Sequence, residues 1–451
     1  MKIKKIQLNN YRKFQHLEVS FDEGMTVITA LNGSGKTAVL DAIRASLWSF
    51  VRKIDAASGS SGSKPVGICI DDVTLLDIDS NMEYQVPTII KTQLIDGMSW
   101  EISRTKITPR TNTIYLKARS IEKFSQELQA KTRDTNDSRE VRLPIIAFYG
   151  TGRLWNQKQL TKTRTKLDDH FFSRTHGYLD CLDSASSYKY FLQWFRWLYE
   201  SHREQQIRSI EDGKNILETK YQPYIKAIQE VVREVVQSET NWGRIEYSVS
   251  KNDIVLYHKK HGELKLSQLS DGIRSVVSLV ADIAYRCIKL NGSLGEIVLK
   301  ESEGIVLIDE VDMHLHPDWQ QKILKQLQNA FPKIQFIVTT HSPQVLSTIH
   351  AKNTRILGDN QDGKSVAGPP LAPTYGEPSY TVLQAVMQVD PQPPVDEKND
   401  LEDLIKFVEQ GDYKKEKVKK LLNKLKKSLN FNHPQILKIE RSIRRMEALG
   451  K

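Results

Sequence analysis

The spacing of apolar and polar residues changes period several times along the 451-residue chain. Positions 2–8 alternate, 17–21 read as a second strand, and 25–30 form an apolar run, the pattern of a buried strand. From 38 to 45 the period becomes helical. Alternation returns between 68 and 115 and predicts a group of antiparallel strands with turns such as Asp96-Gly97. Leu143-Pro144-Ile145-Ile146-Ala147-Phe148-Tyr149-Gly150 has the pattern of another buried strand, and 187–237 reads as helical. Two further apolar runs, 304–308 and 335–338, bracket the last third, and a long apolar helix is expected over 275–290. Strands alternating with helices in this way predict an α/β fold. There is no internal repeat.

Residues 57–63, a run of Ala, Ser and Gly, and the polar stretch 129–142 read as loops. Glycine and proline thicken between 358 and 394 and predict a linker. These shifts divide the chain into a first lobe, 1–185, a helical insertion, 186–240, a second lobe, 241–357, and a linker with a helical tail, 358–451. In the tail Val418, Leu421, Leu422, Leu425 and Leu429 line one helical face. That face either packs on its own domain or meets a partner. Phe191, Trp194, Phe195, Trp197 and Leu198 form an aromatic stripe in the insertion, which reads as core in preference to a base-stacking surface.

Composition narrows the class. Hydrophobic residues at 39% and charged residues at 27% describe globular material able to bury a core. No stretch approaches the roughly 18 apolar residues that cross a bilayer, so no membrane partner is expected. Cys69, Cys181 and Cys287 are scattered without ligand-like spacing, and the N-terminus lacks the apolar core of a signal peptide, which together point to the reducing cytoplasm. The net charge is +10, and residues 401–451 carry 14 Lys/Arg against 7 Asp/Glu. This basic tail suits nucleic acid or an acidic partner, although charge runs are usually solvated faces.

The candidate chemistry begins at Leu31-Asn32-Gly33-Ser34-Gly35-Lys36-Thr37, between an apolar strand and a helix. Gly33 and Gly35 let backbone N–H groups close on phosphate oxygens, with Asn32 and Ser34 in the same loop, and the helix directs its positive end at them. Lys36 is placed to neutralise β and γ phosphates and Thr37 to hold Mg²⁺. The usual pattern begins with glycine, where this chain has Ala30. Downstream, the apolar run 304–308 ends in Asp309-Glu310, with Asp309 suited to the Mg²⁺ water shell and Glu310 to orienting or deprotonating the attacking water. A further apolar run ends in Thr339-Thr340-His341, where His341 is a candidate sensor of the γ-phosphate. All three motifs follow strands, where open α/β sheets bind ligands. ATP and Mg²⁺ are the expected cofactors.

Leu269-Ser270-Asp271-Gly272-Ile273-Arg274 precedes the long apolar helix and resembles the signature of ABC ATPases, with Asp271 in place of a glycine. In that superfamily Ser270 and Gly272 would cap a nucleotide held by a second subunit, which implies self-association. The long separation of Lys36 from Ser270 resembles the RecF and SMC branch, without room for a long coiled coil. The resemblance therefore implies an ABC-type (RecF/SMC-like) ATPase head with an antiparallel β subdomain, a helical insertion and a C-terminal helical tail. Asn10-Tyr11-Arg12-Lys13-Phe14 is similar to an element of that branch which lies near the nucleotide, and makes Arg12 a candidate phosphate or base contact. Asp312-Met313-His314-Leu315-His316-Pro317 resembles the overcoming-lysogenisation and RecF-like group, in which Asp312 would take part in communication across the dimer.

Tyr149-Gly150-Thr151-Gly152-Arg153-Leu154-Trp155, the stretch 178–197 and Tyr375-Gly376 resemble the PtuA ATPases of Septu-type and retron-associated antiphage systems. That resemblance implies an ATPase that assembles with itself and holds a separate HNH nuclease. A self-contained nuclease is disfavoured, because the residues after His341 show no spaced acidic strand ends for two metals. A RecF-like DNA-repair ATPase and a nucleotide-binding scaffold with little turnover are the alternatives.

Overall fold

The computed structural model describes residues 1–30, 33–58, 65–108, 112–134, 140–152, 171–183, 188–213, 219–237, 240–390, 392–430 and 432–449. They form two compact units, Met1–Val382 and Leu383–Lys451.

The first unit opens with β1 (Ile3–Tyr11), β2 (Phe14–Ser20) and β3 (Met25–Thr29), followed by α1 (Lys36–Val51). β4 (Leu75–Ile78) and β5 (Asn81–Tyr84) make a small hairpin, and β6 (Thr88–Leu94) and β7 (Ser99–Arg104) pair antiparallel. The order β2-β1-β6-β7 gives one antiparallel sheet, with Ile6, Leu8, Leu17, Val19 and Ile90 buried at alternating positions. Then come α2 (Arg119–Arg133), β8 (Ile145–Tyr149), α3 (Tyr188–Glu211) and α4 (Gln222–Val232). A three-stranded antiparallel sheet of β9 (Trp242–Ser248), β10 (Asp253–His258) and β11 (Gly262–Lys265) leads to α5 (Asp271–Asn291).

β12 (Gly304–Ile308), β13 (Ile334–Thr339), β14 (Thr354–Asp359) and β15 (Ser365–Gly368) complete the central sheet, in the order β15-β14-β3-β13-β12-β8. All neighbours are parallel except β14 and β15. β3, β8, β12 and β13 are buried at every residue, as a parallel sheet covered on both faces requires. Because these four run parallel, their carboxyl ends share one edge of the sheet. The α/β class and the antiparallel subdomain agree with the sequence reading.

The domain boundaries differ. Strands of the two expected lobes alternate in one sheet, with β3 and β8 flanking β13 and β12, so 1–185 and 241–357 are parts of a single body. The supposed linker also begins too early at 358. β14 extends to Asp359 and pairs with β15, so the glycines at 358 and 368 lie in paired strands. Pairing with a neighbour outweighs the weak strand preference of glycine.

Packing resolves the aromatic stripe. Phe191, Trp194, Phe195 and Leu198 are buried, as the core reading expects, while Trp197 is half-buried. α5 lies among them and carries an ion pair that its apolar pattern conceals. Arg286 Nε donates to Asp282 Oδ2 at 2.9 Å, Tyr149 Oη donates to the same oxygen at 2.6 Å, and both charged side chains are 1% exposed. Arg286 Nη1 also donates to the Gly177 carbonyl at 2.5 Å, tying β8, α5 and the 177–179 turn together. Removing one partner from such a buried pair typically costs about 3–5 kcal/mol.

The second unit is built from α6 (Lys398–Glu409), α7 (Glu416–Leu429) and α8 (Pro434–Ala448). Leu401, Leu404, Val408, Val418, Leu425, Ile436 and Ile439 form its core, with Leu421, Leu422 and Leu429 packed against it. The apolar face of the tail is thus occupied within its own unit, leaving Lys417, Lys420, Lys424 and Lys427 exposed on α7. Among the described residues no helix is long and apolar enough to cross a membrane.

Candidate functional site

The common edge of β3, β12 and β13 gathers most of the residues singled out above. Leu31 and Asn32 lie outside the described residues. Gly33 and Gly35 have φ of +76° and +89°, in the left-handed region that glycine enters without steric cost. Gly35 has a second constraint: a Cβ there would stand 2.5 Å from Cζ of Phe14. The Asn-Tyr-Arg-Lys-Phe element therefore acts here through Phe14, whose ring supports the turn into α1.

Lys36 is buried, and its Nζ donates to the Ala30 carbonyl at 3.0 Å across the mouth of the loop. Burial pulls its ammonium below the usual lysine range, while Asp309, Glu310 and Asp312 pull the other way. A polyanion at this edge would favour the charged form again.

Asp309 is buried immediately after β12, with its amide donating to Tyr149 O at 2.8 Å. Its Oδ2 accepts from Thr37 Oγ1 at 3.0 Å and its Oδ1 from Thr339 Oγ1 at 2.5 Å. A hydroxyl and a carboxylate are thus adjacent, a donor pair suited to Mg²⁺, with the remaining positions left for phosphate oxygens and water. Glu310 adopts φ of +48°, uncommon for a residue with a Cβ and costing about 1–3 kcal/mol. It is held there by its amide donating to Thr339 Oγ1 at 2.8 Å and its carbonyl accepting from Met313 at 3.0 Å.

His341 follows β13 on the same edge and is half-buried. Before it, Thr340 Oγ1 donates to Asp312 Oδ1 at 2.5 Å, and beyond it Ser342 Oγ donates to Gln320 Oε1 at 2.6 Å. These bonds join the loop after β12 to the loop after β13. Asp312, which the family resemblance ties to communication across a dimer, is thus engaged with its own chain. Thr339, Thr340 and Gln320 were missed from sequence, although paired threonines before a strand-end histidine are a usable signal.

Arg12 is placed differently from a phosphate contact. Its Nη2 donates to Asp41 Oδ2 on α1 and its Nε to Asp72 Oδ1, both at 2.8 Å. Arg44 Nη1 shares Asp41 at 3.3 Å. The guanidinium clamps the β1–β2 turn to α1. Neither aspartate drew notice in the sequence, because partners 29 and 60 positions away leave no local pattern.

Ser270 stands at the start of α5, exposed, with no side-chain bond capping the helix. Gly272 has a use within the chain: a Cβ there would stand 2.6 Å from the His314 carbonyl oxygen. The start of α5 therefore packs directly on the loop after β12, so Gly272 serves close packing whatever a second subunit contributes. His316 Nδ1 accepts from the Asp318 amide at 3.4 Å and caps the short helix Pro317–Gln320.

A family model described as an AAA domain matches residues 5–237. The chain is 25% identical over 428 residues to the retron Vc95 probable ATPase of Vibrio cholerae, covering 87% of this chain and 80% of that protein. It is 25% identical over 401 residues to the Septu protein PtuA of Bacillus thuringiensis, covering 86% and 84%. A crystal structure of an SMC head bound to the C-winged helix domain of ScpA matches at 14% identity with a TM-score of 0.46, covering 81% of this chain and 97% of that one.

Proposed function

The chain belongs to the AAA-domain family, and from that premise we propose that it binds and hydrolyses ATP between paired copies of itself and controls a separate HNH nuclease in antiphage defence. The observation that carries the ATPase reading is the single hydrogen-bonded unit of Thr37, Asp309 and Thr339, which also fixes the strained backbone of Glu310. Lys36 and the loop amides bind the β and γ phosphates. Thr37 and Asp309 would hold Mg²⁺, which would supply charge neutralisation at the phosphate oxygens. Glu310 orients the attacking water and accepts its proton, and His341 responds to the γ-phosphate. Arg12 supports the loop through Asp41 without meeting phosphate.

Pairing rests on Ser270. An exposed hydroxyl at a helix start is suited to an anion from outside the chain. The likeness to retron and Septu proteins supports the defence role, and the family resemblance supplies the nuclease. The basic second unit is the natural place for that partner or for nucleic acid.

A Glu310→Gln variant tests the reading. Phosphate release should fall by about 100-fold or more, with ATP still bound and a dimer accumulating by sedimentation. Hydrolysis at the parental rate would remove Glu310 from the chemistry.

A further inference from the structure

A second cavity lies in the first unit, among α3, α4 and the far end of α5. Its volume is about 360 Å³, at the small end of the range for small-molecule sites. Trp194 and Trp197 of α3 and Tyr221 and Tyr224 at the start of α4 contribute four aromatic rings, with Arg174 and Lys289 beside them and no Asp or Glu among the described residues of the lining. The walls are braced. Trp197 meets Tyr221 edge-on at 5.5 Å, Trp194 packs on Tyr285 at 5.2 Å, and Tyr224 Oη donates to the Gly292 carbonyl at 3.1 Å. Arg174 donates to the Leu290 carbonyl through Nε at 2.9 Å and Nη2 at 2.6 Å, which holds its charge at the cavity wall.

Lys289 is the unusual member. Its ammonium donates to the Phe171 carbonyl and stands 5.2 Å from that residue's ring centre. Burial pushes it down to about 8. Trp194 is 3% exposed, whereas Trp197, Tyr221 and Tyr224 stay half-buried, with Trp197 also meeting Phe171 and Phe172 edge-on at 5.7 Å. Aromatic faces paired with cations are the combination that holds a nucleobase and its phosphate.

We propose that this cavity binds a planar aromatic anion of nucleoside monophosphate size, separately from the phosphate loop, with the ring against Trp197 and Tyr221 and the anion toward Lys289 and Arg174. The occupant would rest on the last turn of the helix whose first turn carries Ser270.

The test is calorimetric titration of the full chain carrying Lys36→Ala, which silences the phosphate loop, with AMP, GMP, CMP and UMP in turn. At least one should bind saturably. Trp197→Ala should weaken that binding about fivefold to a hundredfold through lost stacking, while Trp197→Phe, which keeps a ring, should hold it. Lys289→Met should weaken it about tenfold and Lys289→Arg restore it. No saturable binding by any of the four overturns the proposal. So does binding that Trp197→Ala leaves unchanged, or that inorganic phosphate matches in affinity, since the ring would then contribute nothing.

Discussion

The chain presents two helix starts to an anion, and they are built in opposite ways. At α1 everything converges: Lys36 is buried, Gly35 is locked over Phe14, and Thr37 is bonded to Asp309. At α5 the backbone is equally well seated, with Gly272 against the His314 carbonyl, but the Ser270 side chain is exposed and caps nothing. The first start carries a buried cation and an adjacent carboxylate, a site assembled by one chain. The second carries an exposed hydroxyl on a rigid base, with Asp271 and Arg274 paired to each other in its first turn. Positional rigidity is common to both, whereas a buried lysine at the mouth of a loop belongs to the first. On the proposed reading the difference is functional: the α1 site captures nucleotide, and the α5 site acts only when another copy delivers one.

Three substitutions sharpen or break that contrast. Lys36→Ala should have the largest effect, weakening ATP binding by about a hundredfold or more, since it removes a buried charge-assisted contact; equilibrium dialysis with ATP reads it. Binding near the parental affinity would show that the loop amides alone suffice. Ser270→Ala should leave ATP binding by the isolated chain unchanged and lower turnover by about 10- to 100-fold, the loss of one hydrogen bond to a charged group. Equal losses of binding and turnover would place Ser270 in its own chain's site and dissolve the comparison. Gly272→Ala should act on the shared feature, costing about 1–3 kcal/mol of stability through overpacking against His314, measured by urea denaturation. An unchanged midpoint would mean that the loop after β12 yields easily.

The two ends of the candidate site were unequally legible. The phosphate loop could be read because its chemistry is local: a turn of glycines, a lysine and a hydroxyl within a few positions. Asp309 and Glu310 were legible because an unbroken apolar run ending in two carboxylates is rare without a purpose. The ion pairs of Arg12 left no trace in the sequence, since only the fold brings Asp41 and Asp72 to it. Gly272 was read through the family pattern alone. Its intrachain reason, a carbonyl 42 positions downstream, has no trace in local spacing.

The sequence by itself determined the α/β class, the buried strands and the order of the motifs. Each depends on periodicity or on residue types close together in the chain. Only the tertiary structure decided that the two lobes share one sheet, that β15 lies within the supposed linker, and that the tail covers its own apolar face. It also decided the positive φ of Glu310 and the burial of Asp282 with Arg286 inside an apparently apolar helix. These are matters of pairing and desolvation between distant segments. A residue's neighbours in space set the cost of its charge and its backbone angle, and those neighbours exist only once the chain has folded.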